Sequence, residues 1–98
     1  MALRVEWSVE ARDDLRKIAE FIGRDSRAYA AAVVRRVLRG TRKLERFPQM
    51  GRVVPELGDE AFRELLVYGF RVIYRVEGDL VTITAVAHGR QSLDLAGE

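Results

Sequence analysis

The sequence predicts an α+β fold of order β-α-α-β-β-β, a mainly antiparallel sheet packed on one face by a helical hairpin. Three observations carry this. Two consecutive segments repeat apolar residues at helical spacing across a short link. The last third alternates apolar and polar residues around two tight turns, Tyr68-Gly69 and Gly78-Asp79. The registers that these turns impose agree on which residues face inward.

Leu3, Val5 and Trp7 alternate with Arg4 and Glu6, the pattern of a half-buried strand with Trp7 as a core aromatic. Ser8 is a fitting N-cap, with Glu10 in the first helical turn where the helix dipole favours an acid. Ala11, Leu15, Ile18 and Ile22 form the stripe of this helix, and Gly23 offers its end. Asp25 or Ser26 can cap a second helix with the stripe Ala30, Val33, Val37 and Leu44, stopped by Pro48. The short link makes the helices antiparallel neighbours. Residues 49–60 read as irregular, with a brief pairing open to Arg52–Val54.

Two-residue loops fix register. The first turn pairs Val67 with Phe70, Leu65 with Val72 and Glu64 with Ile73. The second pairs Val76 with Val81, Tyr74 with Ile83 and Val72 with Ala85. One face then carries Leu65, Val67, Phe70, Val72, Tyr74, Val76, Val81, Ile83 and Ala85, and only the helical hairpin is large enough to cover it. The opposite face carries Glu64, Leu66, Arg71, Ile73, Arg75, Thr82, Thr84, Val86 and His88. Leu66, Ile73 and Val86 beside Arg71 and His88 suit a partner bringing both apolar and acidic groups. Arg63 has core-side parity and is expected to pair with Glu10 or Asp14 at the edge.

Composition narrows the function. The 98 residues are expected to form one domain over 1–98, without a repeat or low-complexity run. Cysteine is absent and histidine occurs once, which excludes thiolate nucleophiles, Cys-ligated zinc and a His-rich metal site. No apolar run reaches bilayer length and the first residues lack a signal-peptide pattern, so a cytoplasmic protein without membrane contact is expected. The formal net charge is +2, yet residues 24–52 hold nine basic side chains against two acidic ones, a net +7 that leaves −5 elsewhere. Arg35, Arg39, Arg42 and Arg46 line one side of the second helix, opposite its apolar stripe. They form either a solvated amphipathic face or an electrostatic footprint for nucleic acid or an acidic partner segment. No aromatic interleaves them, which disfavours recognition by base stacking.

The element order, the opening Val5-Glu-Trp-Ser-Val-Glu-Ala-Arg-Asp-Asp-Leu15, the link Phe47-Pro-Gln-Met-Gly-Arg52, and the strings Phe62-Arg-Glu-Leu65, Phe70-Arg-Val-Ile-Tyr-Arg75 and Val86-Ala-His-Gly-Arg90 together resemble the RelE/ParE toxins of type II toxin–antitoxin systems. The resemblance covers nearly the whole chain and is closer to ParE. It implies a toxin that inhibits DNA gyrase by binding and forms a hetero-oligomer with an antitoxin whose C-terminal segment wraps it. No cofactor, metal or catalytic residue is then expected. The residues assigned to antitoxin or target are Arg35, Arg39, Arg42, Arg46, Leu66, Arg71, Ile73, Arg75, Val86, His88 and Arg90.

The RelE branch implies instead a ribosome-dependent mRNA endonuclease, with Glu64, Arg71, His88 and Arg90 as its candidate site. Cleavage through the 2′-hydroxyl needs a base, an acid and cations for the phosphorane charge. Arg71 and Arg90 match arginines of that branch. Phe62 and Glu64 stand where it has lysines, and its C-terminal tyrosine has no counterpart. A third implied role is a non-toxic corepressor acting with the antitoxin.

Overall fold

The computed structural model describes residues 2–89. The chain begins with β1 (Arg4–Trp7), continues through α1 (Val9–Gly23) and α2 (Arg27–Arg42), and tightens into a 3-10 turn over Lys43–Glu45. Then come β2 (Arg52–Val53), β3 (Phe62–Val67), β4 (Phe70–Glu77) and β5 (Leu80–His88). The five strands form one sheet in the order β1-β5-β4-β3-β2. Only β1 against β5 is parallel; the other three pairings are antiparallel. The expected α+β architecture is present, and the brief pairing at Arg52 is β2.

Local chemistry sets the helix boundaries. Ser8 accepts a bond from the Ala11 amide at 3.0 Å, and Ser26, rather than Asp25, accepts one from Tyr29 at 3.0 Å. Ala11, Val33, Val37 and Leu44 are buried against Leu65, Val67, Val72, Tyr74, Val81, Ile83 and Val86, with Leu15, Ile18 and Ile22 at the margin. The helical hairpin therefore covers one sheet face, as the apolar alternation requires.

Both turns fall where the sequence puts them. Tyr68 and Gly69 have φ of 51° and 81°, the left-handed pair of a type I′ loop, whereas only Gly78 is left-handed in the second turn. The β3–β4 register is the expected one throughout.

The β4–β5 register departs from expectation halfway along. Val76 opposes Val81 and Tyr74 opposes Ile83, but Ile73 then opposes Ala85 and Val72 opposes Val86. Thr84 is the extra residue of a β-bulge, so every later β5 side chain changes face. Val86, expected on the open face, is buried in the core, and Ala85 leaves it. His88 opposes Phe70 on the core-side parity, no longer Arg71's. The physical reason lies at the sheet edge. β1 stops at Trp7 opposite Ile83, and beyond it α1 side chains serve the free β5 backbone. Ser8 donates to the Thr84 carbonyl at 3.4 Å, and the Val86 amide donates to Asp14 at 3.0 Å. The shift also fills the place opposite Val72 with a valine instead of an alanine.

Candidate functional site

The second sheet face holds the first cluster. Arg52 of β2, Glu64 of β3 and Arg71 of β4 are brought together across neighbouring strands, and Glu56 reaches them from the segment after β2. Glu64 is 1% exposed and Arg71 4%. Arg71 grips Glu56 through both terminal nitrogens, at 2.8 and 2.7 Å, and donates its Nε to Glu64 Oε1 at 2.8 Å. The other oxygen of Glu64 accepts from Arg52 Nε at 2.6 Å. Among the described residues, two cations and two anions meet in this network, and both Glu64 oxygens are used.

Burial opposes this arrangement and pairing stabilises it. The hydrogen bonds from Arg71 to Glu56 raise its pKa most, outweighing a desolvation that lowers it, and Glu64 adds to the rise. Arg71 is a permanent cation here. Ile73, on the same face, is buried too, so this part of the face is not the open floor that alternation suggested. Leu66 remains exposed at 59%, and Arg75 is exposed and pairs with Glu77 at 3.1 Å.

A second, tighter joint lies beside the network. Tyr74 is fully buried; its hydroxyl donates to the Pro48 carbonyl at 2.7 Å and accepts from the Gly51 amide at 3.0 Å. Burial raises the phenol's pKa above its ordinary value, the Gly51 bond opposing it. A Cβ on Gly51 would lie 2.6 Å from the Glu64 carbonyl oxygen, so only glycine fits this approach. Arg63 donates to the carbonyls of Gly51 at 3.0 Å and Glu60 at 3.2 Å, rather than pairing with Glu10 or Asp14. It braces the same loop.

The third region is an aromatic groove of about 540 Å³ between α1, the start of α2, the β3–β4 turn and the end of β5. Phe21, Tyr29, Tyr68, Phe70 and His88 line it. Tyr29 meets Tyr68 edge-on at 5.8 Å, and Phe70 meets His88 in the same way at 5.8 Å. Lys17 stands on its wall, and Arg36 and Arg24 lie over the Tyr68 and Phe21 rings at 5.5 and 5.7 Å. Sequence reading gave His88 a binding role and put Phe70 on the inward face, but gave none to Phe21, Tyr29 or Tyr68. Their signal was available: Phe21 and Tyr29 fall off the apolar stripes of their helices, and Phe21 is 67% exposed.

The fourth region is α2's outer side, where Arg35, Arg39 and Arg42 are exposed as expected; α2 ends at Arg42 rather than running on to Pro48, so Arg46, also exposed, follows the 3-10 turn instead of standing on the helix. None makes a salt bridge or side-chain hydrogen bond among the described residues. The structure thus gathers Glu64, Arg71 and Ile73 on one buried face and sends Val86 and His88 to the other parity. Arg90 lies outside the described residues. Among the described residues no group of acids and histidine could hold a metal ion, and no helix is long and apolar enough to cross a membrane.

Comparison with known proteins places these features. A family model described as the ParE toxin of the type II toxin–antitoxin system parDE matches residues 5–93. A search of curated proteins gave no match. Among solved structures, a chain of the chromosomal ParDE system from P. aeruginosa superposes with a TM-score of 0.72 at 19% identity, covering 89% of this chain and 96% of that one. A chain of the toxin–antitoxin complex RelBE2 from Mycobacterium tuberculosis gives 0.59 at 23% identity, covering 90% and 99%. At these identities the structural likeness is one of fold.

Proposed function

The chain belongs to the ParE toxin family of type II toxin–antitoxin systems, and from that premise we propose that it inhibits DNA gyrase by binding, without covalent chemistry of its own. The observation that supports this is the ion-pair network that occupies both oxygens of Glu64. A general base needs a carboxylate oxygen free to take a proton. Both oxygens of Glu64 are held by arginines, and His88 lies on the opposite parity of the sheet. Arg71, the cation that an RNA-cleaving site would aim at phosphate, spends its donors on Glu56 and Glu64.

The constitutive partner in this reading is an antitoxin, with which the toxin forms a hetero-oligomer in the cytoplasm. The antitoxin's C-terminal segment fits the aromatic groove: its apolar side chains would fill the space among Phe21, Tyr29 and Phe70, and its carboxylates would meet Lys17, Arg24 and Arg36. Large aromatic anchors inside a charged rim are the usual energetic centre of an interface.

The test is a gyrase assay on supercoiled plasmid, with and without the antitoxin segment. Accumulation of linear DNA that the segment suppresses is expected. Unchanged gyrase with folded toxin, together with cleavage of mRNA on ribosomes that His88→Ala abolishes, would transfer the protein to the nuclease class. No growth arrest on expression without the antitoxin would leave the corepressor role.

A further inference from the structure

We propose that the outer face of α2 is a binding surface for the phosphate backbone of duplex DNA, held by Arg35, Arg39, Arg42 and Arg46. This does not rest on gyrase being the target, nor on the antitoxin occupying the aromatic groove.

The four residues stand out by lacking ion-pair partners among the described residues. Of the other arginines, Arg4, Arg16, Arg52, Arg71 and Arg75 meet carboxylates, Arg63 donates to backbone carbonyls, and Arg24 and Arg36 lie over aromatic rings, while Arg12 and Arg27 form no salt bridge among the described residues. No arginine of the α2 row forms a salt bridge among the described residues, and neither does Lys43, although Glu45 is next to Arg46 in the chain. A fold with a net charge of only +2 has therefore concentrated unneutralised charge on one helix side. Opposite this side, Val33, Val37, Thr41 and Leu44 are buried, so the row is the part of α2 farthest from the core.

Geometry chooses between the polyanions. Arg35, Arg39 and Arg42 span about 10 Å of helix axis at roughly 1.5 Å per residue, and Arg46 extends the row past the 3-10 turn. Duplex DNA presents about one charge per 1.7 Å along a rigid axis, so such a row meets several phosphates without ordering its ligand. The apolar grooves flank the row. One contains Trp7, Leu15, Val34 and Leu38; another contains Met50, Leu65 and Leu66 and shares Arg39 with the row; a third, with Phe47, Pro48 and Met50, takes in Arg46 at the row's end. An acidic peptide must recover the entropy of its own ordering from apolar anchors, and those nearest the row lie at its margins, Leu38 beside it and Phe47 and Met50 next to Arg46. Without an aromatic between the arginines, single strands gain no stacking. A helix side on which Arg35, Arg39 and Arg42 recur every three or four residues suits the phosphate backbone of B-form DNA.

The experiment is fluorescence anisotropy of the full chain with a short labelled DNA duplex of arbitrary sequence, over a salt series. Four phosphate contacts predict a slope of log K against log salt near −3.6, a loss on the order of 10²-fold between about 50 and 200 mM. Replacing all four by glutamine (Arg35→Gln, Arg39→Gln, Arg42→Gln, Arg46→Gln) should flatten the slope by about 3 to 4. Replacing all four by lysine should retain it. A charge-matched control (Arg4→Gln, Arg12→Gln, Arg16→Gln, Arg27→Gln) should keep most of the wild-type slope. Equal flattening in the control would reduce the effect to net charge and overturn the proposal. So would a glutamate-rich peptide that binds the wild type more tightly than DNA and loses binding in the four-glutamine variant, since the face would then serve a protein partner.

Discussion

Arg71 and Arg39 belong to the same residue type and sit within one small fold, yet they meet opposite fates. Arg71 is buried, and Glu56 and Glu64 neutralise it. Arg39, with Arg35, Arg42 and Arg46, stands in water without a salt bridge among the described residues. The first cluster ties three strands and the segment after β2 into one piece. The second contributes almost nothing to the fold, because exposed charges in water interact weakly. The contrast separates architecture from recognition: a charge whose donors are consumed inside the protein has little left for a ligand, and one left unpaired on a rigid helix is preorganised for one. The four predictions below probe that division, from the strongest effect to the weakest.

Removing Arg71 should cost most. Arg71→Ala leaves Glu64 buried with only Arg52, and strips Glu56 of both its bonds to the guanidinium. Leaving a buried charge without its partner typically costs about 3–5 kcal/mol, read as a lower urea midpoint. Arg71→Lys should recover only part, because one ammonium cannot reproduce the two-nitrogen grip on Glu56. A wild-type midpoint for Arg71→Ala would mean the network is not structural and would return Arg71 to the candidate ligands of the target.

Gly51→Ala comes next. The added carbon would lie 2.6 Å from a β3 carbonyl oxygen and 2.7 Å from the Tyr74 hydroxyl, so the loop or the strand must move. Overpacking of this kind costs roughly 1–3 kcal/mol. Equal stability would show that the loop yields freely and that the brace from Arg63 is weak.

Tyr74→Phe is expected to cost about 1–2 kcal/mol, since it leaves the Gly51 amide without the acceptor it uses. It also carries a pH signature. The folded phenol's pKa is raised by burial above its ordinary value of 10.0, so the folded state holds this proton more tightly than the unfolded chain. The corresponding stability is complete below the ordinary value and is lost as pH rises through the folded one. Wild-type protein should therefore lose stability above about pH 10, and Tyr74→Phe should show a flatter alkaline limb. Parallel limbs would assign the loss to other groups.

How much of this was legible before the structure depends on whether the information is local. The caps at Ser8 and Ser26, the helix stripes and both hairpin turns are written in neighbouring residues, and each stands where spacing places it. The bulge at Thr84 was not legible, because it arises where β1 ends and α1 takes over the β5 edge, a meeting of segments far apart in sequence. That one residue moved Val86 and His88 to the other face. Glu56 was equally hidden, since an irregular segment has no period to reveal which way a side chain turns. The α2 row, by contrast, was plain from helical spacing alone. Period-based reading thus located the exposed arginines and misjudged the buried one, whose partner Glu56 comes from an irregular segment.

The weakest structural effect should come from that row. Replacing Arg35, Arg39, Arg42 and Arg46 by glutamine removes like-charge neighbours three and four apart, each pair unfavourable by about 0.2–0.5 kcal/mol. It also removes cations from the C-terminal end of α2, where the helix dipole favours them by about 0.3–1 kcal/mol each. Both terms are small and opposite in sign, and no apolar area is lost. The four changes together should move stability by less than about 1 kcal/mol, at the scale of ordinary surface substitutions. Urea denaturation decides it. A large loss would show that the row holds α2 against the sheet, and the division between structural and recognition arginines would fail. A midpoint near that of the wild type would show that four of the chain's 15 arginines are dispensable for folding, so that a change in DNA affinity in the same variant reports on the face itself.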